Sequence, residues 1–193
     1  MKPINIKLFY IMIFNELPLK GAYTIDLEKR EDGRGFFARF FCSEEFENQR
    51  LNINVIQMNT TLSKERGTVR GLHFQRPPKE EIKIVRCISG SIWDVIVDIR
   101  ENSPTYGKWY GVELNDNNRT MVYVPEGFAH GFQTLIDNVE LLYLHSEFYS
   151  KEHEDGLLYN DKAIDIDWPL PVSEISERDK SHPILSELNP FRL

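Results

Sequence analysis

Short runs of alternating hydrophobic and polar residues, separated by turn-forming residues, dominate the chain. Residues 55–62 and 81–88 alternate, and 91–99 is almost entirely β-branched or apolar, as expected of strands. Clusters of glycine, proline, asparagine and aspartate mark turns at 31–35, 115–118, 125–127 and 137–138. Helical periodicity is almost absent, so the pattern predicts an antiparallel β-sandwich or barrel such as a jelly roll.

Helical signals are confined to two short segments. Ser43 is followed by Glu44 and Glu45, an N-cap with acidic residues in the first turn, which predicts a short helix over 43–50. The residues after Trp168 are polar and interrupted by proline, which indicates a short C-terminal helix or a segment that wraps around the fold. Short peripheral helices are therefore expected beside the strands.

The N-terminal segment resembles a short signal sequence at first sight, because two lysines precede the apolar run 8–14. Asn15 and Glu16 end this run at once, and no small-residue cleavage site follows. A first strand is therefore the better interpretation. Residues 1–11 are a possible N-terminal extension, in which case Met12 is the start of the domain.

Length, charge and cysteine content narrow the class of protein. A chain of 193 residues suits one domain, spanning 1–193, with a sizeable core. The net charge of −7 argues against a nucleic-acid-binding surface, and no apolar run reaches membrane-spanning length. An anionic ligand would therefore need its positive charge concentrated in one pocket. Cys42 and Cys87 are too few for a disulfide framework, which favours the cytoplasm.

One predicted strand carries the first candidate for catalysis, in the segment Arg70-Gly71-Leu72-His73-Phe74-Gln75. His73 can take and return a proton near neutral pH, and Arg70 has a guanidinium group suited to phosphate. With a two-residue period, however, these two side chains point to opposite faces of a regular strand. Both can serve one pocket only if the strand is irregular, and Gly71 is where a β-bulge is expected.

The same two-residue period sorts polar residues on two other strands. In 81–88, Lys83 shares a face with apolar residues, which fits either the rim of a core or a buried cation with an anionic partner. The spacing favours the rim. In 139–149, Tyr143, His145 and the alternate residues after them share a face. A solvated face of aromatic and polar residues is the commoner reason for such a pattern, and the spacing alone predicts it.

Several motifs occur in a fixed order, and together they carry a family resemblance. In chain order they are Arg34-Gly35, Arg70-Gly71-Leu72-His73-Phe74-Gln75, Lys83-Ile84-Val85-Arg86, Trp93-Asp94-Val95-Ile96-Val97-Asp98-Ile99-Arg100, Ser103-Pro104-Thr105, Pro125-Glu126-Gly127-Phe128-Ala129-His130-Gly131-Phe132, Asn160-Asp161 and Trp168-Pro169. In these motifs the chain resembles the dTDP-4-dehydrorhamnose 3,5-epimerase family over nearly everything after about the first fifteen residues. The resemblance implies a cupin-type jelly roll, a homodimer, no metal or other cofactor, and inversion of carbons beside the ketone of a nucleotide-linked 4-keto-6-deoxy sugar.

The resemblance also implies roles for individual residues. His73 falls on the catalytic base, Asp179 on the carboxylate that pairs with it, and Tyr143 on the general acid. Lys83 falls near the sugar ketone, where a cation stabilises an enolate oxygen. The remaining matches are implied to bind substrate, with the two arginines at the diphosphate: Arg34, Arg70, Phe37, Gln57, Asn59, His130 and Tyr149.

Leu144 and Phe148 stand where lysine and tyrosine are common in the family, and two further departures concern candidate site residues. Arg39 stands where an acidic residue near the nucleoside is usual, which leaves the nucleobase open. His145 is an added titratable group on the face of Tyr143. Both are retained as candidate substrate-binding residues. The departures leave the proton-transfer residues in place, but they do not decide which sugar nucleotide binds, or whether one or two carbons are inverted.

Three other enzyme functions and one function without catalysis were compared with the sequence. A metal-dependent cupin oxygenase needs clustered histidines with a carboxylate, whereas the histidines at 73, 130, 145, 153 and 182 are scattered and include no His-x-His pair. A 3,4-ketoisomerase, which also works through an enolic intermediate, and a mono-epimerase both stay open. A binding module without activity would be indicated by loss of the base, the acid or the lysine, and none of these is lost.

Overall fold

A computed structural model describes residues 12–51 and 53–192 of the chain. Within these ranges the chain forms thirteen strands, two short α-helices and one 3-10 helix. The strands are β1 (Ile13–Glu16), β2 (Tyr23–Asp26), β3 (Arg30–Asp32), β4 (Gly35–Phe37), β5 (Gln57–Ser63), β6 (Val69–Gln75), β7 (Lys83–Ser89), β8 (Ser91–Asp98), β9 (Trp109–Asn115), β10 (Met121–Val124), β11 (Phe128–Thr134), β12 (Val139–His145) and β13 (Glu154–Gly156). The helices are α1 (Ser43–Asn48), α2 (Glu177–Lys180) and the 3-10 helix Leu185–Glu187.

Most of the strands belong to two antiparallel sheets that pack face to face. Sheet I has the strand order β1-β2-β10-β7-β12-β5, and sheet II has the order β13-β6-β11-β8-β9. Alternate side chains of both sheets meet between them, where Val85, Ile96 and Leu141 are buried. Strands β3 and β4 form a separate hairpin. The arrangement confirms the jelly roll that the alternation predicts.

Each outer face of the sandwich is covered by segments that lie outside the sheets. Helix α1 packs on sheet I through Phe46, whose ring contacts that of Tyr123. The C-terminal residues pack on sheet II, where the ring of Phe191 contacts that of Phe74. The prediction of a C-terminal helix or wrap is confirmed, because this segment contains α2 and buries Leu188 and Phe191 against the sheet.

The predicted N-cap of α1 is wrong by one residue. Cys42 occupies the cap in an extended conformation (φ −155°, ψ 115°) and its carbonyl accepts the first backbone hydrogen bonds of the helix. Ser43 is already helical, and the helix ends at Asn48, two residues before the expected end. Glu44 and Glu45 lie in the first turn as predicted, and the buried Glu45 accepts the backbone N–H of Met12 at 2.7 Å. Its carboxylate fastens the N-terminal segment to α1.

The first described strand, β1, continues beyond the apolar run. Asn15 pairs with Thr24 and Glu16 pairs with Tyr23, so the two polar residues that end the apolar run belong to the strand. Their side chains are exposed, which an edge strand tolerates. The possible extension 1–11 lies outside the described residues. Among the residues that are described, no helix has the length and apolar character needed to cross a membrane.

The expected β-bulge at Gly71 is present. Between Arg70 and His73, β6 has one residue more than the paired stretch of β11. Gly71 has a φ of +131°, and a Cβ atom on it would lie 2.5 Å from the Cα of Gly131. Glycine is therefore required at this position. Because of the bulge, Arg70 and His73 line the same cavity.

Candidate active site

A cavity of about 710 Å³ lies between sheet I and sheet II. Strands β5, β7 and β12 form one wall, β6 and β11 form the other, and α2 with the residues before it closes one side. Its volume is in the range of small-molecule sites. The cavity brings together most of the predicted site residues, which are His73, Asp179, Tyr143, Lys83, Arg70, Gln57, Asn59, His130, His145 and Tyr149.

A histidine and a carboxylate form a dyad on the sheet II side of the cavity. Nε2 of His73 is 2.8 Å from Oδ1 of Asp179. The second carboxylate oxygen of Asp179 accepts the backbone N–H of Gly71 at 3.1 Å, so the bulge also anchors α2. The hydroxyl of Ser176 caps α2 by accepting the N–H of Asp179 at 3.0 Å. The predicted pairing of His73 with Asp179 is thus formed.

Burial and neighbouring charges keep His73 and Asp179 in complementary protonation states, with a neutral imidazole beside an ionised carboxylate. Burial lowers the pKa of His73, and the hydrogen bond to Asp179 offsets this only in part. The imidazole is therefore neutral at pH 7. Burial opposes ionisation of Asp179, but its contacts with His182, His73 and the Gly71 N–H outweigh this effect and hold the pKa of Asp179 well below its usual value. With Nε2 donating to the carboxylate, Nδ1 of His73 is left to accept a proton.

Tyr143 stands on the opposite wall, on β12 of sheet I. Its ring makes an edge contact with His130 (centroids 6.2 Å apart, 77°) and stacks on His145 (6.0 Å, 22°). Burial, followed by the charge of Asp94, raises the pKa of Tyr143 well above its usual value, so the phenol keeps its proton at neutral pH. The solvated face that the spacing predicts is wrong here, because His145 is buried and Tyr143 is partly buried.

The strand that carries Tyr143 is shorter than predicted. β12 ends at His145, so Tyr149 belongs to the loop beyond it and not to the same face. Tyr149 is 56% exposed and its hydroxyl donates to Glu154 at 2.9 Å. Tyr149 and Glu154 both line the cavity. Tyr149 thus forms part of the cavity rim.

Lys83 is a buried cation with an anionic partner, which corrects the expectation of a core rim. Its Nζ lies 3.1 Å from Oε1 of Glu81 and donates to the backbone carbonyl of His73 at 3.3 Å. The other oxygen of Glu81 lies 2.7 Å from Nδ1 of His145. Although burial favours the neutral acid, Lys83 and His145 hold the pKa of Glu81 below its usual value. Glu81 thus positions the Lys83 ammonium on the sheet I wall.

The sequence interpretation missed Glu81 and Arg178 at this site. Glu81 could have been found, because it lies two residues before Lys83 and therefore on the same face of an extended chain. Arg178 precedes Asp179, and its Nη2 lies 3.1 Å from Nε2 of His73. No sequence pattern signals this contact, since α2 reaches β6 only through the tertiary fold.

Three candidate substrate-binding residues do not line the cavity of this chain. Arg34 lies at the β3–β4 turn with its side chain 90% exposed and paired with Asp32 at 2.7 Å. Phe37, on β4, is 65% exposed. Arg39 is paired with the buried Glu45 of α1, on the outer side of sheet I. A nucleobase contact of Arg39 within its own chain is therefore not supported.

The histidines are less scattered than their sequence positions indicate. His182 lies beside the dyad, and His73, Asp179 and His182 can each offer a ligand atom within 4.8 Å of the others. The sequence argument against clustered histidines is therefore wrong for this part of the chain. Residues 106 apart in sequence become neighbours when α2 packs on β6.

Comparison with known proteins decides the family. The family model described as dTDP-4-dehydrorhamnose 3,5-epimerase matches residues 16–187. The chain belongs to this family. The resemblance found in the sequence motifs is thus confirmed.

Similar proteins cover nearly the whole chain. The dTDP-4-dehydrorhamnose 3,5-epimerase of Sinorhizobium fredii is 43% identical over 178 residues, 92% of this chain and 91% of the relative. The dTDP-4-dehydrorhamnose 3-epimerase of Streptomyces niveus is 38% identical over 177 residues, 91% of this chain and 85% of the relative.

Solved structures of dTDP-4-dehydrorhamnose 3,5-epimerases have the same fold. The enzyme of Elizabethkingia anophelis has a TM-score of 0.89 at 39% identity, covering 92% of this chain and 98% of that chain. The enzyme of Bacillus anthracis, with TDP and PPi bound, has a TM-score of 0.87 at 38% identity, covering 90% and 99%. The cupin-type jelly roll is confirmed.

Proposed function

We propose that the protein is an epimerase that inverts C3 and C5 of a nucleotide-linked 4-keto-6-deoxyhexose, converting dTDP-4-dehydro-6-deoxy-D-glucose to dTDP-4-dehydro-L-rhamnose. One observation carries the proposal: His73 and Tyr143 stand on opposing sheets and line one cavity. A sugar ring held between them has a base on one face and an acid on the other. With this arrangement a proton can leave from one face of the ring and return to the other, which inverts the carbon.

Each inversion begins with loss of a proton from a carbon beside the ketone. Nδ1 of His73 takes the proton, and the C–H electron pair moves onto the ketone oxygen to give an enolate. Asp179 stabilises the imidazolium that forms, and the Lys83 ammonium stabilises the enolate oxygen. Tyr143 then donates its phenolic proton to the same carbon from the opposite face, and the ketone forms again. Exchange with solvent restores both groups for the second carbon.

These steps require neither a metal nor an organic cofactor, because the ketone itself makes the neighbouring C–H bonds acidic. The pKa of His73 lies below its ordinary value and that of Tyr143 above it, so base and acid are both in the required state at neutral pH. We place the protein in the cytoplasm, in keeping with the free thiols of Cys42 and Cys87.

The diphosphate is bound by Arg70, and the substrate-binding set is completed in a homodimer. Arg34 and Phe37 lie on an exposed hairpin outside the cavity of their own chain, so a second copy is needed to bring them to a bound nucleotide. The edge strand β5 supplies a surface for this copy, because Met58 and Leu62 are exposed there beside the cavity residues Gln57 and Asn59.

Complementation between two inactive variants tests the activity and the shared site together. His73→Asn removes the base and Arg34→Ala removes a diphosphate contact, so each variant alone should have almost no turnover of the dTDP-linked 4-keto sugar. When both are co-expressed in equal amounts, each mixed dimer contains one site with an intact His73 and an intact Arg34. About a quarter of the wild-type specific activity should then return.

The matched control pairs His73→Asn with Asp179→Asn. These two residues belong to the same site of one chain, so mixed dimers should show no activity beyond that expected from the two variants measured separately. Failure of the Arg34→Ala mixture to regain turnover, with an active wild type, would contradict the shared site. A wild-type protein that leaves the sugar unchanged would contradict the epimerase itself.

A mono-epimerase is the second candidate function. The 38% identity to the 3-epimerase of Streptomyces niveus favours it, because this identity is close to that of the 3,5-epimerases compared. The same base and acid would serve either reaction. What differs is whether the sugar ring repositions between His73 and Tyr143 after the first inversion, so that its second flanking carbon meets the base.

A further inference from the structure

We propose that His73, Asp179 and His182 form a zinc-binding site, and that zinc bound there inhibits the protein. The inhibition, though not the binding, rests on the proposed function of His73 as the base. Each residue can offer one ligand atom, and these atoms lie within 4.8 Å of one another. Two imidazoles and a carboxylate form a ligand set that binds zinc and leaves a fourth position for water.

The carboxylate lies between the two histidines. Oδ1 of Asp179 is 2.8 Å from Nε2 of His73 and 3.6 Å from Nε2 of His182. A tetrahedral zinc ion with bonds of about 2.1 Å holds its ligand atoms about 3.4 Å apart. Side-chain shifts of about an ångström therefore bring the three groups to coordinating distance.

His182 is a group that the proposed reaction does not use. Its ring packs against Gly156 and makes an edge contact with the His73 ring, with centroids 5.7 Å apart. Within the described part of the chain, its buried Nε2 has no hydrogen-bond partner, because 3.6 Å to Asp179 is too long for a hydrogen bond. A buried ring nitrogen without a partner, beside an ionised carboxylate, is suited to bind a cation.

The three ligands stand on elements that are tied together. His73 of β6 pairs with Gly156 of β13, against which His182 packs. Asp179 is fixed to β6 by the N–H of Gly71. His182 follows α2 by two residues. A site on such connected elements needs little ordering when a metal binds.

One neighbouring cation has to move away from the dyad. Nη2 of Arg178 lies 3.1 Å from Nε2 of His73, while its Nη1 lies 2.8 Å from Glu154. The side chain is half-exposed, so it can swing towards solvent and stay paired with Glu154. Lys83 does not oppose zinc in the same way, because Glu81 compensates its charge.

Bound zinc inhibits because it holds the His73 ring in a protonation state in which the ring cannot act as a base. A neutral imidazole that binds zinc through Nε2 carries its proton on Nδ1. Nδ1 is the atom that takes the proton of the sugar in the proposed reaction, so it can no longer act as a base. Asp179, held by the same ion, also ceases to stabilise an imidazolium.

Zinc titration of chelator-treated protein tests the site. Wild-type protein should be fully active without metal, bind one equivalent of zinc in calorimetry, lose activity in step with occupancy, and recover when EDTA is added. His182→Gln should keep its basal activity and bind zinc at least about tenfold more weakly. The matched control is His153→Gln, since His153 bonds to Ser150 outside the cavity and its loss should leave zinc affinity unchanged.

A second variant covers the case in which His182→Gln fails to fold. Asp179→Asn removes the charged ligand while keeping its size, and calorimetry should again show weaker zinc binding whether or not the variant turns over. Equal zinc affinity in wild type, His182→Gln and Asp179→Asn would overturn the proposal, as would absence of saturable binding to wild type. If both variants lose zinc binding but the wild-type protein has no epimerase activity, the zinc site is supported and the proposed function is contradicted.

Discussion

Replacing His73 by asparagine should lower kcat by about 10²–10⁴-fold, because an amide nitrogen cannot accept the proton that the imidazole removes from the sugar. Asp179 keeps its hydrogen bond from the backbone N–H of Gly71, so α2 should stay packed on β6 and the KM for substrate should change little. Product formation by wild type and variant, followed by NMR of the sugar, gives both constants.

Two further variants sharpen this test. Asp179→Asn leaves the base in place without its charged partner, and it should reduce kcat less than His73→Asn does. His153→Asn is the matched control, because His153 lies outside the cavity and its ring bonds to Ser150 at 2.8 Å. A His73→Asn variant with a near wild-type rate would show that another group removes the proton.

Replacing Tyr143 by phenylalanine should separate inversion from proton exchange. Epimerisation should fall by about 10²-fold or more, because the face opposite His73 loses its proton donor. Abstraction by His73 should be affected less, since the base and Lys83 remain. The sugar should therefore exchange its C3 proton with solvent, with retained configuration, faster than it epimerises. Deuterium uptake and inversion, measured in one sample, give the ratio of the two rates.

Tyr123→Phe is the matched control for that experiment. Tyr123 is also a buried tyrosine whose pKa is raised, by burial first and then by Glu126. It lies on the outer side of sheet I, in contact with Phe46, and does not line the cavity. Its loss should leave the ratio of exchange to inversion unchanged. If Tyr143→Phe leaves that ratio unchanged as well, the phenol is not the proton donor.

The sequence predicted those parts of the site that depend on local periodicity. Alternation identified strands. In a regular strand Arg70 and His73 would point to opposite faces, so an irregular strand was needed for both to reach one pocket. Gly71 resolves that conflict in the structure, with a bulge that directs both side chains into one cavity. The bulge could be predicted because both the two-residue period of a strand and the absence of a side chain at Gly71 can be read from the sequence alone.

The sequence could not predict contacts that depend on which element packs against each face of a strand. Lys83 was expected at a rim because its strand neighbours are apolar, whereas in the structure its ammonium donates to the backbone carbonyl of His73 on the opposite sheet. His182 joins the dyad only because α2 docks on β6. Arg34 lies outside the cavity of its own chain, so its role needs a second copy that no single-chain pattern reveals.

In the proposed mechanism, His73 and Tyr143 act from opposite faces of the sugar ring through an enolate. Turnover of the dTDP-linked 4-keto sugar in deuterated water tests it most directly, with NMR of the product at C3 and C5. We expect deuterium at both carbons, each inverted, because the incoming proton comes from the solvent-exchanged phenol. Deuterium at one inverted carbon would identify a mono-epimerase, and deuterium with migration of the ketone to C3 a ketoisomerase. Inverted carbons that retain their original protons would contradict the mechanism.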